Sequence, residues 1–147
     1  MPSKVRCSVS VLDVSAAALE RCRQRLAARA DRVTWMEADI TRFVPPRQYD
    51  FWHDRAAFHF LTDTAERNAY VAVISRGLKP GGHAVIATFA PDGPLKCSGL
   101  DVVRYGPTAL AETLGGGLSL MECLRETHQT PWGKPQVFAY CLFQHVG

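Results

Sequence analysis

The chemistry this sequence offers is concentrated in a carboxylate at Asp13 and a cluster of polar groups at His53, Asp54, Arg55 and His59. In Val9–Ser15 (VSVLDVS) an apolar, β-branched run stops at Asp13, and Ser15 opens a long Ala/Leu/Arg segment. A carboxylate at the carboxyl edge of a strand, where open α/β sheets bind ligands, can accept hydrogen bonds from both hydroxyls of a ribose. Asp at a strand end is equally a turn or capping residue, and both readings stand at this point. Around the second cluster, Asp54 suits an amine, Arg55 suits a carboxylate, and His59 has the neutral-range pKa of a base. The plainer alternative is that Asp54 and Arg55 cap a turn while His59 packs beside Phe58 and Phe60. Cys97 and His128 lack the third group a nucleophile–base pair needs. His53, His83, His128 and His145 show no ligand spacing, so no metal is expected.

These groups need elements to hold them. Val9–Val14 reads as a strand, and Ser15 caps a helix in which Leu19, Cys22, Leu26 and Ala30 recur at helical spacing through Arg29. Val33–Glu37 is a second strand, and Tyr49–Asp54 a third after the Val44-Pro45-Pro46 loop. Asp63 with Glu66 opens another helix, whose apolar face is Ala65, Ala69, Val73 and Ile74 through Leu78. Lys79-Pro80-Gly81-Gly82 reads as a turn into the buried strand His83–Phe89. Pro91–Gly106 is a loop longer than a connector needs. Pro107 and Gly115 bracket a short helix. Leu118–Glu126 and Val137–Phe143 follow as an antiparallel pair. Trp35, Trp52 and Phe51 are expected in the core. Strands alternating with helices imply an α/β sheet.

With 147 residues the chain is read as a single domain, 1–147, large enough for a real core. A hydrophobic content of 47%, a charged content of 21% and a net charge of +3 describe an ordinary globular chain without a basic patch for nucleic acid. No apolar run reaches membrane-spanning length, and the N-terminus has no signal-peptide core, so a cytoplasmic protein without nucleic-acid or membrane partners is expected. The five cysteines are odd in number and widely spaced, which indicates neither a zinc site nor a disulfide framework and fits a reduced compartment.

Several stretches together resemble the class I S-adenosylmethionine-dependent methyltransferases, from about Val9 to the C-terminus. Asp13 matches the acidic end of that family's second strand, and Ala38-Asp39-Ile40 the segment after its third. Tyr49-Asp50-Phe51-Trp52 matches the fourth-strand motif, and Leu78-Lys79-Pro80-Gly81-Gly82 the turn before the fifth. The resemblance implies a Rossmann-like methyltransferase sheet, mostly parallel with a C-terminal antiparallel strand pair. It implies S-adenosylmethionine as cofactor, with Asp13, Val14 and Ser15 at the ribose, Asp39 and Ile40 at the adenine, and Asp54 and Arg55 at the reacting end, Arg55 on the cofactor. Asp54 and His59 are then the candidate catalytic residues.

The departure from the family is at the N-terminus. Only twelve residues precede Asp13, whereas a βαβ unit needs roughly thirty, so the usual first strand and its Gly-rich loop do not fit. The expectation is a truncated, partial domain. Removing a central strand leaves backbone edges to be satisfied. Either the strand ending at Asp13 pairs directly with Tyr49–Asp54, or a second copy completes the sheet as a homodimer, or the chain is poorly stable alone; the first two are preferred. The expected function is methyl transfer to a small-molecule or protein acceptor that the sequence does not name. The rival is a non-catalytic remnant or oligomerising module. A nicotinamide-dependent oxidoreductase shares the strand-end Asp but leaves the Lys79–Gly82 turn unexplained.

Overall fold

A computed structural model describes residues 7–147; the polar residues 1–6 lie outside the described residues. The chain divides into two compact units, residues 1–43 and 44–147.

In the first unit, β1 (Val9–Asp13) and β2 (Val33–Glu37) pair in parallel with Asp13 opposite Glu37, joined by α1 (Ala16–Leu26). Ser15 caps α1, its Oγ accepting from the Ala18 N–H at 3.1 Å. The helix stops earlier than the periodicity through Arg29 predicts. Ala27 takes a φ of +49°, which ends the regular ladder, and the chain continues as a 3-10 turn over Ala27–Arg32. Trp35 is half-buried, donating its indole N–H to the Ala30 carbonyl under the Arg23 guanidinium.

The second unit holds a four-stranded sheet in the order β3-β4-β8-β7. β3 (Tyr49–Arg55) and β4 (Leu78–Phe89) are parallel; β8 (Pro135–His145) and β7 (Leu118–Gln129) add the antiparallel pair. The α/β class with a C-terminal antiparallel pair is therefore what the chain adopts. The described ladders join β1 to β2 and β3 to β4, and direct pairing of β1 with β3 is not among them.

One face of this sheet carries Trp52 and Asp54 beside Ala84, Ile86 and Thr88. Here α2 (Thr64–Gly77) supplies the buried Tyr70, Val73 and Ile74; α3 (Pro107–Leu114) buries Leu110 and Leu114. The apolar face of α2 is thus centred on Tyr70; Ala65, expected there, is exposed. Burying an Ile, Leu or Phe side chain contributes roughly 1.5–3 kcal/mol, and the other face adds the buried cluster of Ala87, Phe89 and Phe138. Phe51, expected in the core, lies on the other face and is 54% exposed, because alternation along β3 puts it opposite Trp52.

Three further features depart from the sequence reading. Residues 79–82 are part of β4 rather than a separate turn. Leu78 pairs with Tyr49, the register then shifts, and Gly81 at φ +79° with the close-packed Gly82 lets the strand bulge and continue. The long loop contains a small hairpin of β5 (Lys96–Cys97) and β6 (Leu100–Asp101), turned by Ser98 and Gly99, both at positive φ. Cys123 and Cys141 stand directly opposite on β7 and β8 with Cα atoms 4.3 Å apart and form a disulfide. The expectation of unpaired cysteines fails for these two, since a separation of 18 residues conceals that the strands bring them face to face.

Candidate functional site

In the first unit two carboxylates lie at the carboxyl edge of adjacent parallel strands. Asp13 ends β1, and the chain leaving β2 is fixed beside it by the Ala38 N–H, which donates to the Asp13 carbonyl at 3.1 Å. Asp39 follows one residue later. Each carboxylate is held through one oxygen by a residue two positions on. Asp13 Oδ1 accepts from the Ser15 N–H at 2.8 Å; Asp39 Oδ1 accepts from the Thr41 N–H at 2.9 Å and its hydroxyl at 2.8 Å. These are local Asx-type turns, so the capping role considered for Asp13 is real. They also fix each side chain while the second oxygen, Oδ2, has no partner among the described residues. The Thr41 backbone bond, followed by its hydroxyl, lowers the Asp39 carboxyl below its ordinary value. Val14 is exposed, Ser15 is spent on its cap, and Ile40 is half-buried. The donor set suits S-adenosylmethionine: a ribose diol and an adenine amine are hydrogen-bond donors, and two anchored acceptors stand at one strand edge. The chain's first glycine is Gly77, so residues before α2 provide no Gly-rich loop.

In the second unit, Asp54 is buried at the end of β3. Its Oδ2 accepts the Tyr70 hydroxyl at 2.6 Å, and its Oδ1 accepts the Ala57 N–H at 3.0 Å, with the Phe58 N–H close to both oxygens. Trp52 donates its indole N–H to the Tyr70 oxygen at 3.2 Å. Burial raises the Asp54 carboxyl above its ordinary value, opposed by the bonds from Tyr70, Ala57 and Phe58. The network fastens the turn after β3, where Ala56 is held at φ +61° with its N–H donating to the Ala87 carbonyl. Sequence reasoning missed Tyr70; its spacing from Val73 and Ile74 on one helical face was the available signal.

His59 is fully buried in the 3-10 turn Phe58–Phe60. Its Nδ1 accepts from the Phe89 N–H at 3.2 Å, which places the neutral ring's proton on Nε2. Nε2 has no partner among the described residues. Burial pushes the imidazole down to about 4. Its carbonyl accepts from the Val103 N–H at 2.8 Å, so His59 ties this turn to β4 and to the long loop. Arg55 is exposed on the opposite face of β3 from Asp54; its Nε donates to the Tyr140 hydroxyl at 2.9 Å.

Comparison with known proteins gives the chain its relatives. A family profile describing a methyltransferase domain matches residues 1–82, more than half of the chain. Nodulation protein S from Rhizobium tropici is 30% identical over 106 residues, covering 72% of this chain and 41% of that protein. The chain thus spans about two fifths of that relative's length. Among solved structures, N-methyltransferase NodS from Bradyrhizobium japonicum WM9 superposes with a TM-score of 0.74 at 21% identity, covering 94% of this chain and 73% of its own. The same protein in complex with S-adenosyl-L-homocysteine gives 0.71 at 22%, covering 94% and 66%. The 1,6-didemethyltoxoflavin-N1-methyltransferase of Burkholderia thailandensis gives 0.70 at 18%, covering 95% and 62%. At these identities the structures bear on the fold, and the fold is Rossmann-like.

Proposed function

The chain belongs to the methyltransferase-domain family, and from that premise we propose that it binds S-adenosylmethionine and serves methyl transfer to an acceptor. The observation that carries this reading is the pair of anchored carboxylates at one strand edge, Asp13 and Asp39, each with an oxygen to spare. Asp13 takes the ribose hydroxyls, with Ser15 fixing its rotamer and Val14 flanking it; Asp39 takes the adenine amine, with Ile40 against the ring. When bound, the cofactor supplies a methyl group already activated by a sulfonium. The chain's part is then positioning, with a base needed only where the acceptor must lose a proton.

The second unit carries the other candidate residues. Asp54 is a shaping group: it holds the turn at residues 55–60 through Tyr70 and two backbone N–H groups. His59 is a neutral Nε2–H donor buried in its turn, and its depressed pKa argues against proton storage near neutrality. A homodimer that completes the sheet remains part of this proposal.

The test is a calorimetric titration of the 147-residue chain with S-adenosylhomocysteine, repeated with Asp13→Ala and Asp39→Ala. Loss of a hydrogen bond to a charged group costs about 1.5–3 kcal/mol, so each variant is expected to bind roughly tenfold to a hundredfold more weakly while staying folded. A folded wild-type chain that takes up no S-adenosylhomocysteine would instead support a non-catalytic methyltransferase fold.

A further inference from the structure

Arg55 is exposed yet held on two sides. It ends β3; its neighbour across the sheet on β4 is Ala87, and the next on β8 is Tyr140, all on one face. The small Ala87 side chain lets Arg55 lie across β4. Its Nε then donates to the Tyr140 hydroxyl at 2.9 Å, and its guanidinium carbon stands 4.6 Å from the centre of the Phe138 ring. Phe138 is itself buried against Ala87 and Phe89, with Cys97 and Val102 packed around them. One side and one face of the guanidinium plane are therefore occupied. The terminal Nη1 and Nη2 groups have no partner, and no carboxylate pairs with Arg55, among the described residues. A guanidinium fixed in this way presents the parallel pair of N–H groups that a carboxylate engages through both oxygens, with the ordering entropy already spent.

The place is also that of a ligand. Arg55 lies at the carboxyl end of β3 and β4, the binding edge of open α/β sheets. The antiparallel return of β8 brings the long loop and the 130–134 turn to the same end. Leu95, Leu100 and Trp132 are exposed on these segments, with Trp132 at 85%.

We propose that Arg55, oriented by Tyr140 and Phe138, is the anchor for a carboxylate on the methyl acceptor, in place of the cofactor role the family resemblance implied for it, which makes the acceptor an acid with an apolar body. The inference rests on the transferase reading for the word acceptor. What separates acceptor from cofactor is where the clamp is built. The family profile ends at residue 82, and both residues that hold Arg55 lie beyond it. A donor common to the family is served by the common part, whereas the acceptor is met by the part that differs.

The experiment follows the backbone amide signals around the clamp, those of Ala87 and Tyr140 among them, by 15N NMR in the full chain titrated with benzoate, and with uncharged benzamide as the matched probe. Arg55→Gln and Tyr140→Phe are titrated in parallel, each checked for folding by circular dichroism. The expected result is benzoate binding about tenfold or more tighter than benzamide, a preference that Arg55→Gln removes and Tyr140→Phe weakens by less. S-adenosylhomocysteine affinity should be the same in wild type and Arg55→Gln. Two results overturn the proposal. One is Arg55→Gln binding benzoate as the wild type does. The other is Arg55→Gln losing S-adenosylhomocysteine while keeping 5′-methylthioadenosine, which lacks the carboxylate; the cofactor is then the guest. A wild type that binds benzoate through Arg55 but no S-adenosylhomocysteine sinks the transferase reading and leaves the carboxylate anchor standing.

Discussion

Acidification should destabilise this protein through His59 before its carboxylates are exhausted. The imidazole is fully buried and pushed down to about 4, against 6.5 for the free side chain. Between those values the unfolded chain binds a proton that the folded chain refuses, so stability rises with pH through this window and is lost as pH falls. With these two constants the loss from pH 7 to pH 5 is about 2 kcal/mol, reaching roughly 3 kcal/mol at pH 4. Asp54 works in the opposite sense: its raised carboxyl makes the folded chain bind a proton first, which favours the folded state as pH falls. A control that keeps Asp54 is therefore needed. His59→Asn retains an acceptor for the Phe89 N–H but does not titrate. Urea unfolding of both proteins from pH 4.5 to 7.5 should give a wild-type curve that converges on or crosses below the variant's as pH drops. Parallel curves over that range would show that His59 titrates normally and that its burial has been misjudged.

Two further outcomes follow from the second unit. Tyr70→Phe removes the 2.6 Å bond to Asp54 and the acceptor of the Trp52 indole, and should cost about 2 kcal/mol in urea unfolding at pH 7. Because that bond holds the Asp54 carboxyl down, the gap to wild type should shrink toward pH 4; a gap independent of pH contradicts the charge-assisted bond. At the bulge of β4, a Cβ on Gly82 would stand 2.9 Å from the Lys79 carbonyl oxygen and 3.0 Å from that of Asp50, whereas one on Gly81 meets nothing within 4 Å and suffers only from φ +79°. Gly82→Ala should thus destabilise by about 1–3 kcal/mol. Gly81→Ala should cost only about 1 kcal/mol, and the reverse order in chemical denaturation would contradict this account of the bulge.

Much of what is set by neighbours in the chain was legible in the sequence. Asp13 and Ser15 form a strand end and a helix cap within three residues, Asp39 fixes itself on Thr41, and Pro107 and Gly115 bracket α3 at the residues expected. The strand at Val33–Glu37 and the helical start after Asp63 are of the same kind, since capping and residue preference act over one turn or one pleat. Tertiary structure decided everything that depends on which strands become neighbours. Arg55 meets Tyr140 across 85 residues, and Tyr70 meets Asp54 across 16, only once β8 and α2 have docked. Cys123 faces Cys141 only in the register of β7 on β8, and the residues leading into His83 become strand rather than turn because Leu78 finds Tyr49. His59 likewise has a base's composition, but burial against Phe60 and Phe89 takes away its charge. A residue's type states which proton or bond it can offer; the packing around it sets the free energy of offering it.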